Sequence, residues 1–464
     1  MQKKGLDISA RSFLTSILVI LALMIATYAL TFLIPAGEYV RTVTAAGSTV
    51  IDAAAPFRYC EGGIPFWKWL LSPVLQLGAE GSGTTIAVIA FLLVIGGVFN
   101  ALDKCGLMRY MLTRIVSRFG TRRYLLMAVI MFFFMALGAV IGSYEECVPL
   151  VPIVVALSVS LGWDALTGIC MSLLAVGCGF SSGVCNPFTV GVAQELAGLP
   201  MFSGIWLRLL CFVPIYLLLF LFVRAHAKRV EAPLAESAGE SAAVEPKLAR
   251  GLVCFAVIFG IGIAAVLCSG FVAALQDYTM IIVALTFLVA GIASVLCAGV
   301  SLRDLGSWFY HGLVSILPAV LMILMASSIR YTLTEAKVLD TILHGAVELT
   351  GALPEWSVIL AIYLLVLVLN FFIASGSAKA FLLIPLIVPV AQIYGISPQL
   401  CILAFAFGDG FSNVFYPTNP VLLISLGLAG VSYGSWLRRT WLFQLLNLLL
   451  TAALLLFGLA IGYQ

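Results

Sequence analysis

The stretch VGCGFSSGVCNPFTVG, Val176 to Gly191, decides how this chain is read. It lies inside Ala165–Leu196, an apolar run long enough to cross a bilayer, yet four glycines and a proline interrupt it midway. Pro187 removes a backbone N–H and disfavours helical geometry at Asn186. A helix broken at membrane depth leaves peptide groups that only protein, water, ion or ligand can satisfy. A plain kink would account for one such break. A second occurs at GDGFSNVFYPTNPV, Gly408 to Val421, where Pro417 and Pro420 act as Pro187 does.

Composition agrees with a membrane setting. Of 464 residues, 62% are hydrophobic and 10% charged, with a mean hydropathy of +1.15. Soluble domains carry about 25% charged residues. Apolar runs of about 20 residues recur throughout, which predicts an all-α polytopic membrane protein. The first, Phe13–Pro35, follows Lys3, Lys4 and Arg11 and is too long for a signal peptide. It reads as a retained span with a cytoplasmic N-terminus. No basic cluster with interleaved aromatics suggests nucleic acid. The 11 cysteines lie mostly within apolar runs without a C-x-x-C, and His226, His311 and His344 are scattered. Neither disulfides nor a transition-metal site is expected.

The one clearly polar linker, Arg224–Arg250, falls near the midpoint and prompts a search for a repeat. GIWLR at Gly204 matches GSWLR at Gly434, GFS at Gly179 matches GFS at Gly410, and Val151-Pro152 matches Ile384-Pro385. The matches keep one order and nearly one spacing. The expected division is residues 1–230, a cytoplasmic linker 231–250, and 251–464. Charge orients the halves. Asp103 to Arg123 carries Lys104, Arg109, Arg114, Arg118, Arg122 and Arg123 against one acid, so it should be cytoplasmic. Its counterpart, Tyr331 to Gly351, carries Glu335, Asp340 and Glu348 against Lys337 and reads as outside. Both have amphipathic helical spacing and are expected to lie in the interface. Equivalent segments on opposite sides mean an inverted repeat, a common architecture of secondary transporters. The expected spans are Phe13–Pro35, Thr84–Leu102, Ala165–Leu196 and Ile205–Val223, then Leu252–Phe271, Met280–Ala298, Leu313–Tyr331, Gln399–Leu428 and Leu442–Ile461. Re-entrant hairpins are expected at about Tyr124–Leu161 and Trp356–Tyr394. Pro65–Gly78 is too short to span and is assigned to the outer interface.

Polar groups at membrane depth are costly and therefore informative. They fall at two breaks and two hairpin tips. The breaks offer Ser181, Ser182, Asn186 and Thr189 opposite Asp409, Ser412, Asn413, Thr418 and Asn419. Freed carbonyls suit a cation, and half-helix N-termini suit an anion. The first tip, GSYEEC, has a capping-box spacing in which Ser143 caps the second arm and Glu146 returns to it. That leaves Glu145 as the residue for substrate, cation or proton. The second tip, ASGSAKAF, puts Lys379 in the first turn of a helix, the unfavourable end for a cation. Its anion could be Asp409, Glu145 or a substrate carboxylate; snorkelling to the interface is the alternative. Glu195, Arg208, Arg330 and Arg438 lie near span ends, where solvation is the default.

Within this arrangement, GSYEECVPLVP, GCGFSSGVCNPFTVG, SGSAKAFLLIPLIVP and FGDGFSNVFYPTNP resemble the ion transporter superfamily. They are most similar to YfcC-type permeases, a group of anaerobic C4-dicarboxylate carrier-like proteins near the arginine/ornithine antiporters. The resemblance covers most of the chain. It implies a homodimer in the bacterial inner membrane, with an elevator-type transport domain from about 124–200 and 355–430 on a scaffold made of the remainder. It also implies coupling ions, Na+ or H+, held between tip and break, here Ser143, Gly179, Asn186, Ser375, Gly410 and Asn419. The dicarboxylate/sodium branch carries Ser-Asn-Thr at both tips; this chain has Ser143-Tyr144-Glu145 and Ser377-Ala378-Lys379.

The function expected is secondary transport of a small charged solute. Glu145, Ser181, Ser182, Asn186, Ser377, Lys379, Asp409, Asn413 and Asn419 are the candidate substrate residues. A site with both signs of charge suits an amino acid, including a basic one, or a small peptide; a dicarboxylate is the rival. No enzyme is expected. FGDG at Phe407 resembles an aspartyl protease centre, but Ala406 stands where that motif needs glycine. Nothing repeats like a channel filter, and no G-K-[ST] loop supports ATP-driven pumping.

Overall fold

In the computed structural model the residues described are 10–43, 49–52, 55–79, 82–119, 122–142, 144–200, 202–232, 245–269, 279–350 and 354–464. They are mostly helical. By length and hydropathy, five described helices could cross a membrane unbroken, or six if the Leu302–Glu335 helix, which contains Pro318, is counted as one bent span.

A first group holds α1 (Ala10–Leu33), α4 (Gly83–Lys104), α12 (Pro246–Ser269), α13 (Thr279–Cys297) and α14 (Leu302–Glu335). These helices pack on one another, α4 against α14 and α13, α12 against α13, and α1 against α14. The expected spans Thr84–Leu102 and Met280–Ala298 match α4 and α13 closely. The polar linker is shorter than its composition suggests. Arg224 lies in a helix running to Val230, and α12 already begins at Pro246, so charged residues extend both helices beyond their apolar spans.

The segment between Leu33 and Phe66, which has no long apolar run, forms two small antiparallel ribbons. Gly37–Glu38 (β1) pairs with Arg58–Tyr59 (β4), and Arg41–Val43 (β2) with Thr49–Ile51 (β3). The short helices α2 (Phe66–Leu70) and α3 (Ser72–Leu75) follow, in keeping with a segment that does not span. The ribbons lean on α15 (Leu339–Thr350). Asp340 accepts from the Tyr39 N–H at 3.0 Å and pairs with Arg41 at 2.7 Å, while Phe57 stacks on His344.

The second group repeats one pattern twice. Helix α5 (Leu107–Phe119), with Leu107 and Tyr110 buried, leads into α6 (Arg123–Val140), a 3₁₀ turn at Glu145–Leu150, and α7 (Val151–Ser160). In the second half α15, with Leu339 and Leu343 buried, leads into α16 (Glu355–Asn370), a tip, and α17 (Gly376–Ile393). Each helix–turn–helix is followed by a broken helix. The first comprises α8 (Ala165–Ile169), a π turn at Cys170–Leu174, α9 (Ala175–Ser182), the break, a π turn at Pro187–Gly191, and α10 (Val192–Leu196). The second comprises α18 (Pro398–Asn413), the break, and α19 (Pro420–Leu428). The sequence places both breaks correctly.

The broken helices form the core. Every residue of α9 is buried, as is every residue of α18 after Pro398. Glycine permits their close approach. A Cβ on Gly410 would stand 2.5 Å from the Ser181 backbone, and one on Gly179 would stand 1.9 Å from the Met135 carbonyl of α6. The packing is reciprocal: α6 lies on α9 and α16 on α18, while α7 reaches α19 and α17 reaches α10. Helices α11 (Ile205–Val230) and α20 (Tyr433–Ala460) also pack here, α11 on α9, α6 and α8, and α20 on α18, α16 and α11. Away from the breaks, Asp164 caps α8 through Thr167 N–H and meets His226 of α11 at 3.1 Å. Burial pushes the Asp164 carboxyl up, but hydrogen bonds from His226 and Thr167 outweigh it and hold the group at about 2.

Candidate functional site

The site is built at the second break. Helix α16 is apolar from Val358 until it ends in Asn370, next to the tip. Asn370 and Lys379 stand on the two arms of one hairpin, and Asp409 rises from α18 between them. Lys379 donates to Asp409 Oδ1 and to Asn370 Oδ1, and both Lys379 and Asp409 are fully buried. This settles the counter-ion of Lys379 in favour of Asp409, and a fully buried side chain is not snorkelling. The Asn370 amide nitrogen lies 2.9 Å from the Asp409 carbonyl, 2.6 Å from Ser412 Oγ and 2.9 Å from Asn413 Oδ1. Asn419 donates to the same Asn413 oxygen at 3.0 Å and caps α19 by accepting from Val421 and Leu422 N–H. One amide side chain thus ties hairpin, ion pair and break together.

Asp409 is only half satisfied. Its Oδ2 has no hydrogen-bond partner, and neither do the buried hydroxyls of Thr189 and Thr418. A Cβ on Gly376 would stand 2.6 Å from Asp409 Oδ2 and 2.6 Å from the Thr189 methyl. The missing side chain at Gly376 is therefore what lets the second tip close over Asp409 beside the first break. Buried polar groups without partners carry a penalty of about 1–3 kcal/mol each, so the meeting of Asp409 Oδ2 and Thr189 at Gly376 marks a place that can receive a polar ligand.

The first tip meets the second break from the other side. Tyr144, buried, donates to the Asn413 carbonyl at 3.1 Å. The 3₁₀ turn that begins at Glu145 packs against α19 and against α4. Its N-cap is Tyr144, with no side-chain cap; the expected capping box of Ser143 and Glu146 rests on side chains outside the described residues. Ser143 lies outside the described residues. Glu145 is half-buried and joins no ion pair among the described residues. It does not meet Lys379, which Asp409 already holds.

The other expected residues have local duties. Ser181 and Ser412 each donate to the carbonyl four residues earlier, Gly177 and Gly408, at 2.9 Å. Ser182 donates to the Gly179 carbonyl at 2.8 Å, which Gly183 N–H also approaches. Asn186 accepts from Thr189 N–H. Ser375 caps α17 through Ala378 N–H, and Ser377 is half-buried in the first turn. Arg438 and Glu195 are exposed as expected, and Arg330 is half-buried.

Arg208 is a correction. It is fully buried, not solvated, and its Nε donates to the Val184 carbonyl in the first break at 3.1 Å. The indole of Trp436 does the same for the Val414 carbonyl at 2.9 Å in the second. Each break thus has its free carbonyl end capped from the helix that follows. Asn370, the other residue missed, did have a sequence signal: a lone amide closing an apolar arm just before a tip.

Residues 13–460 match the model of the DcuC family, described as C4-dicarboxylate anaerobic carrier. The chain belongs to the C4-dicarboxylate anaerobic carrier family. This carrier is 31% identical over 382 residues to the "Putative basic amino acid antiporter YfcC" of Escherichia coli, covering 77% of its own length and 74% of that protein's. It is 23% identical over 377 residues to an uncharacterised protein of Haemophilus influenzae, covering 77% and 72%. Among solved structures it is similar to the YdaH transporter of Alcanivorax borkumensis (TM-score 0.46, 18% identity, 97% and 99% coverage). It is also similar to the structure of Neisseria gonorrhoeae MtrF, from a class of antimetabolite efflux pumps (TM-score 0.44, 18% identity, 96% and 94% coverage).

Proposed function

We propose that this membrane transporter moves a cationic amino acid by alternating access. The observation that carries this is the charge count at the paired tips and breaks. Lys379 and Asp409 cancel as a closed pair. Glu145 then remains, a half-buried carboxylate at the tip of the first hairpin with no ion pair among the described residues, next to a second acid, Glu146, whose side chain lies outside them. A site with surplus negative charge favours a solute with surplus positive charge. The open Oδ2 of Asp409 and the hydroxyls of Thr189 and Thr418 would receive the amino acid's α-groups. The similarity to the Escherichia coli protein named as a basic amino acid antiporter supports this reading.

The same reading takes the two helix–turn–helix units as re-entrant hairpins and the two halves as an inverted repeat, with α5 on the cytoplasmic side and α15 outside. The contacts argue for moving α11 and α20 from the scaffold to the transport domain, so that the mobile unit is α6–α11 with α16–α20. It would slide as an elevator against α1, α4, α12, α13 and α14, in a homodimer in the bacterial plasma membrane. Coupling to Na+ or H+ belongs to this reading as well.

A second reading, C4-dicarboxylate transport, is favoured by the family's description and would use Lys379 with the half-helix N-termini. Thermal-shift measurement on the purified full chain separates them. Arginine, lysine or ornithine should raise the melting temperature, and Glu145→Gln should abolish the shift. Stabilisation by succinate or fumarate alone would favour the dicarboxylate reading.

A further inference from the structure

We propose that the outer face of the α6–α11 pair binds an anionic phospholipid, with the headgroup phosphate held by Arg122, Arg224 and Lys228. The proposal rests on reading both helices as membrane-embedded, which their length and hydropathy allow, and not on the identity of the transported solute.

The two helices run antiparallel, joined by a ladder of rings. On α11, Phe212, Tyr216, Phe220, Arg224 and Lys228 recur at every fourth residue and share one side. Phe212 and Tyr216 meet Phe132 of α6 at 6.0 and 5.9 Å between ring centres, and Tyr216 donates to the Ala128 carbonyl at 2.9 Å. Phe220 stacks on Tyr216. The Arg224 guanidinium then lies over Phe220 and over Tyr124 of α6, at 6.0 and 5.7 Å. The ladder therefore ends in cations. From Arg123 to Phe132 it is about 14 Å long at about 1.5 Å per residue, close to half of the ~30 Å hydrocarbon core. Its two sides differ. Met127 and Met131 of α6 and Ile215, Leu219 and Val223 of α11 are buried. On the other side Leu125 and Val129, with Val213, Leu217 and Leu221, are exposed. Arg122 stands three residues before Leu125 and Lys228 seven after Leu221, so both cap that apolar face at its polar end.

Charge at that end is unbalanced. Arg123 pairs with Glu231, which also accepts from Tyr124, and donates to the Leu161 carbonyl at 3.0 Å. Asp164 is held by His226. Arg122, Arg224 and Lys228 join no ion pair among the described residues, and neither does exposed Glu245 at the start of α12. The Arg224 Nε is buried without a hydrogen-bond partner, as is the indole N–H of Trp163, whose ring lies 5.5 Å from that of Tyr124. A phosphodiester suits these groups: guanidinium N–H donors match phosphate oxygens, and lysine adds a point charge. Basic residues between membrane helices at the cytoplasmic face, where this reading puts them, recognise anionic headgroups. The exposed leucines, one leaflet deep, suit the acyl chains. A soluble phosphate would use the cations and leave that face bare. The bound lipid would join the first arm of the first hairpin to the helix after the first break, two parts of the proposed mobile unit.

Native mass spectrometry of the purified full chain tests it, with phosphatidylglycerol, cardiolipin or phosphatidylcholine titrated into the detergent. The anionic lipids should be retained about tenfold more tightly than phosphatidylcholine, or better. Arg122→Gln, Arg224→Gln and Lys228→Gln should each weaken that binding about fivefold, and the three together about a hundredfold. Arg303→Gln, at an exposed cation on α14, should leave it unchanged. Arg224→Lys, which keeps the charge, should retain most of the affinity and guards against a folding defect in Arg224→Gln. Glu236 and Glu240 of the linker lie outside the described residues; Glu236→Gln/Glu240→Gln should leave binding unchanged. Equal retention of phosphatidylcholine, binding indifferent to the triple variant, or displacement of the lipid by millimolar inorganic phosphate would overturn the proposal. So would anionic binding that appears only in Glu236→Gln/Glu240→Gln, since linker acids would then occupy the cations. None of these readouts involves the solute, so their failure leaves the proposed function standing.

Discussion

Replacing Lys379 by Met removes one member of a pair that is wholly buried. At an effective dielectric constant of about 20, opposite charges about 4 Å apart attract by roughly 4 kcal/mol. Each ion also loses its hydration on burial, and the lone survivor recovers none of it. Breaking a buried pair from one side typically costs about 3–5 kcal/mol. Asp409 would be the stranded ion, with its second oxygen already unpartnered. Asp409→Asn should cost a similar amount by stranding Lys379. The double variant Lys379→Met/Asp409→Leu should lie closer to wild type than either single variant, because nothing charged is then left behind. Reversible SDS unfolding of the purified chain, followed by tryptophan fluorescence, measures all four states. If the double variant loses as much stability as the two singles summed, the pair is not coupled and the reading of the site as a closed neutral unit fails.

Other outcomes follow from named contacts. Asn370→Ala removes the amide that joins Lys379 to the break, and should cost about 1.5–3 kcal/mol in the same assay, the range for hydrogen bonds to charged groups. Gly410→Ala forces a Cβ to within 2.5 Å of the Ser181 backbone and should destabilise by about 1–3 kcal/mol; stability within 0.5 kcal/mol of wild type would mean α9 and α18 do not cross there. The folded Asp164, at about 2, lies below the ordinary aspartate value of about 3.9. Its contribution is therefore present above about pH 4 and lost as pH falls towards 2. His226→Ala should move the onset of acid unfolding to higher pH, and an unchanged onset would count against the contact. Single cysteines at Arg118 and Glu348 in a cysteine-free chain should label from opposite membrane faces, and labelling from one face would refute the inverted repeat.

Much of the architecture is legible in the residues because its causes are local. Pro187, Pro417 and Pro420 mark the breaks because they stand among glycines and asparagines, whereas Pro214, Pro318, Pro385 and Pro389 lie inside helices, and the apolar run lengths bound the spans. The amphipathic helices α5 and α15 declare themselves by spacing. Lys379 needs an anion on the strength of its place in a helix first turn. What stays hidden depends on distance in space. Nothing local chooses Asp409 over Glu145 as the partner of Lys379; the Gly410–Ser181 crossing and the missing side chain at Gly376 do. Arg208 looks like a span-end charge until Val184 is seen to fold back onto it. The ribbons between Leu33 and Phe66 are short and held by partners on α15 about 300 residues away, so no hydropathy pattern announces them.

The central claim is that the tips and breaks together bind one cationic amino acid through Glu145 beside the Lys379–Asp409 pair. Counterflow in proteoliposomes tests it most directly. Vesicles are loaded with unlabelled arginine, ornithine, lysine, glutamate or succinate and challenged with the labelled compound. The account predicts saturable counterflow for the cationic amino acids, lost in Glu145→Gln, and none for succinate. Counterflow of succinate without the cationic amino acids, or cationic counterflow untouched by Glu145→Gln, would contradict it.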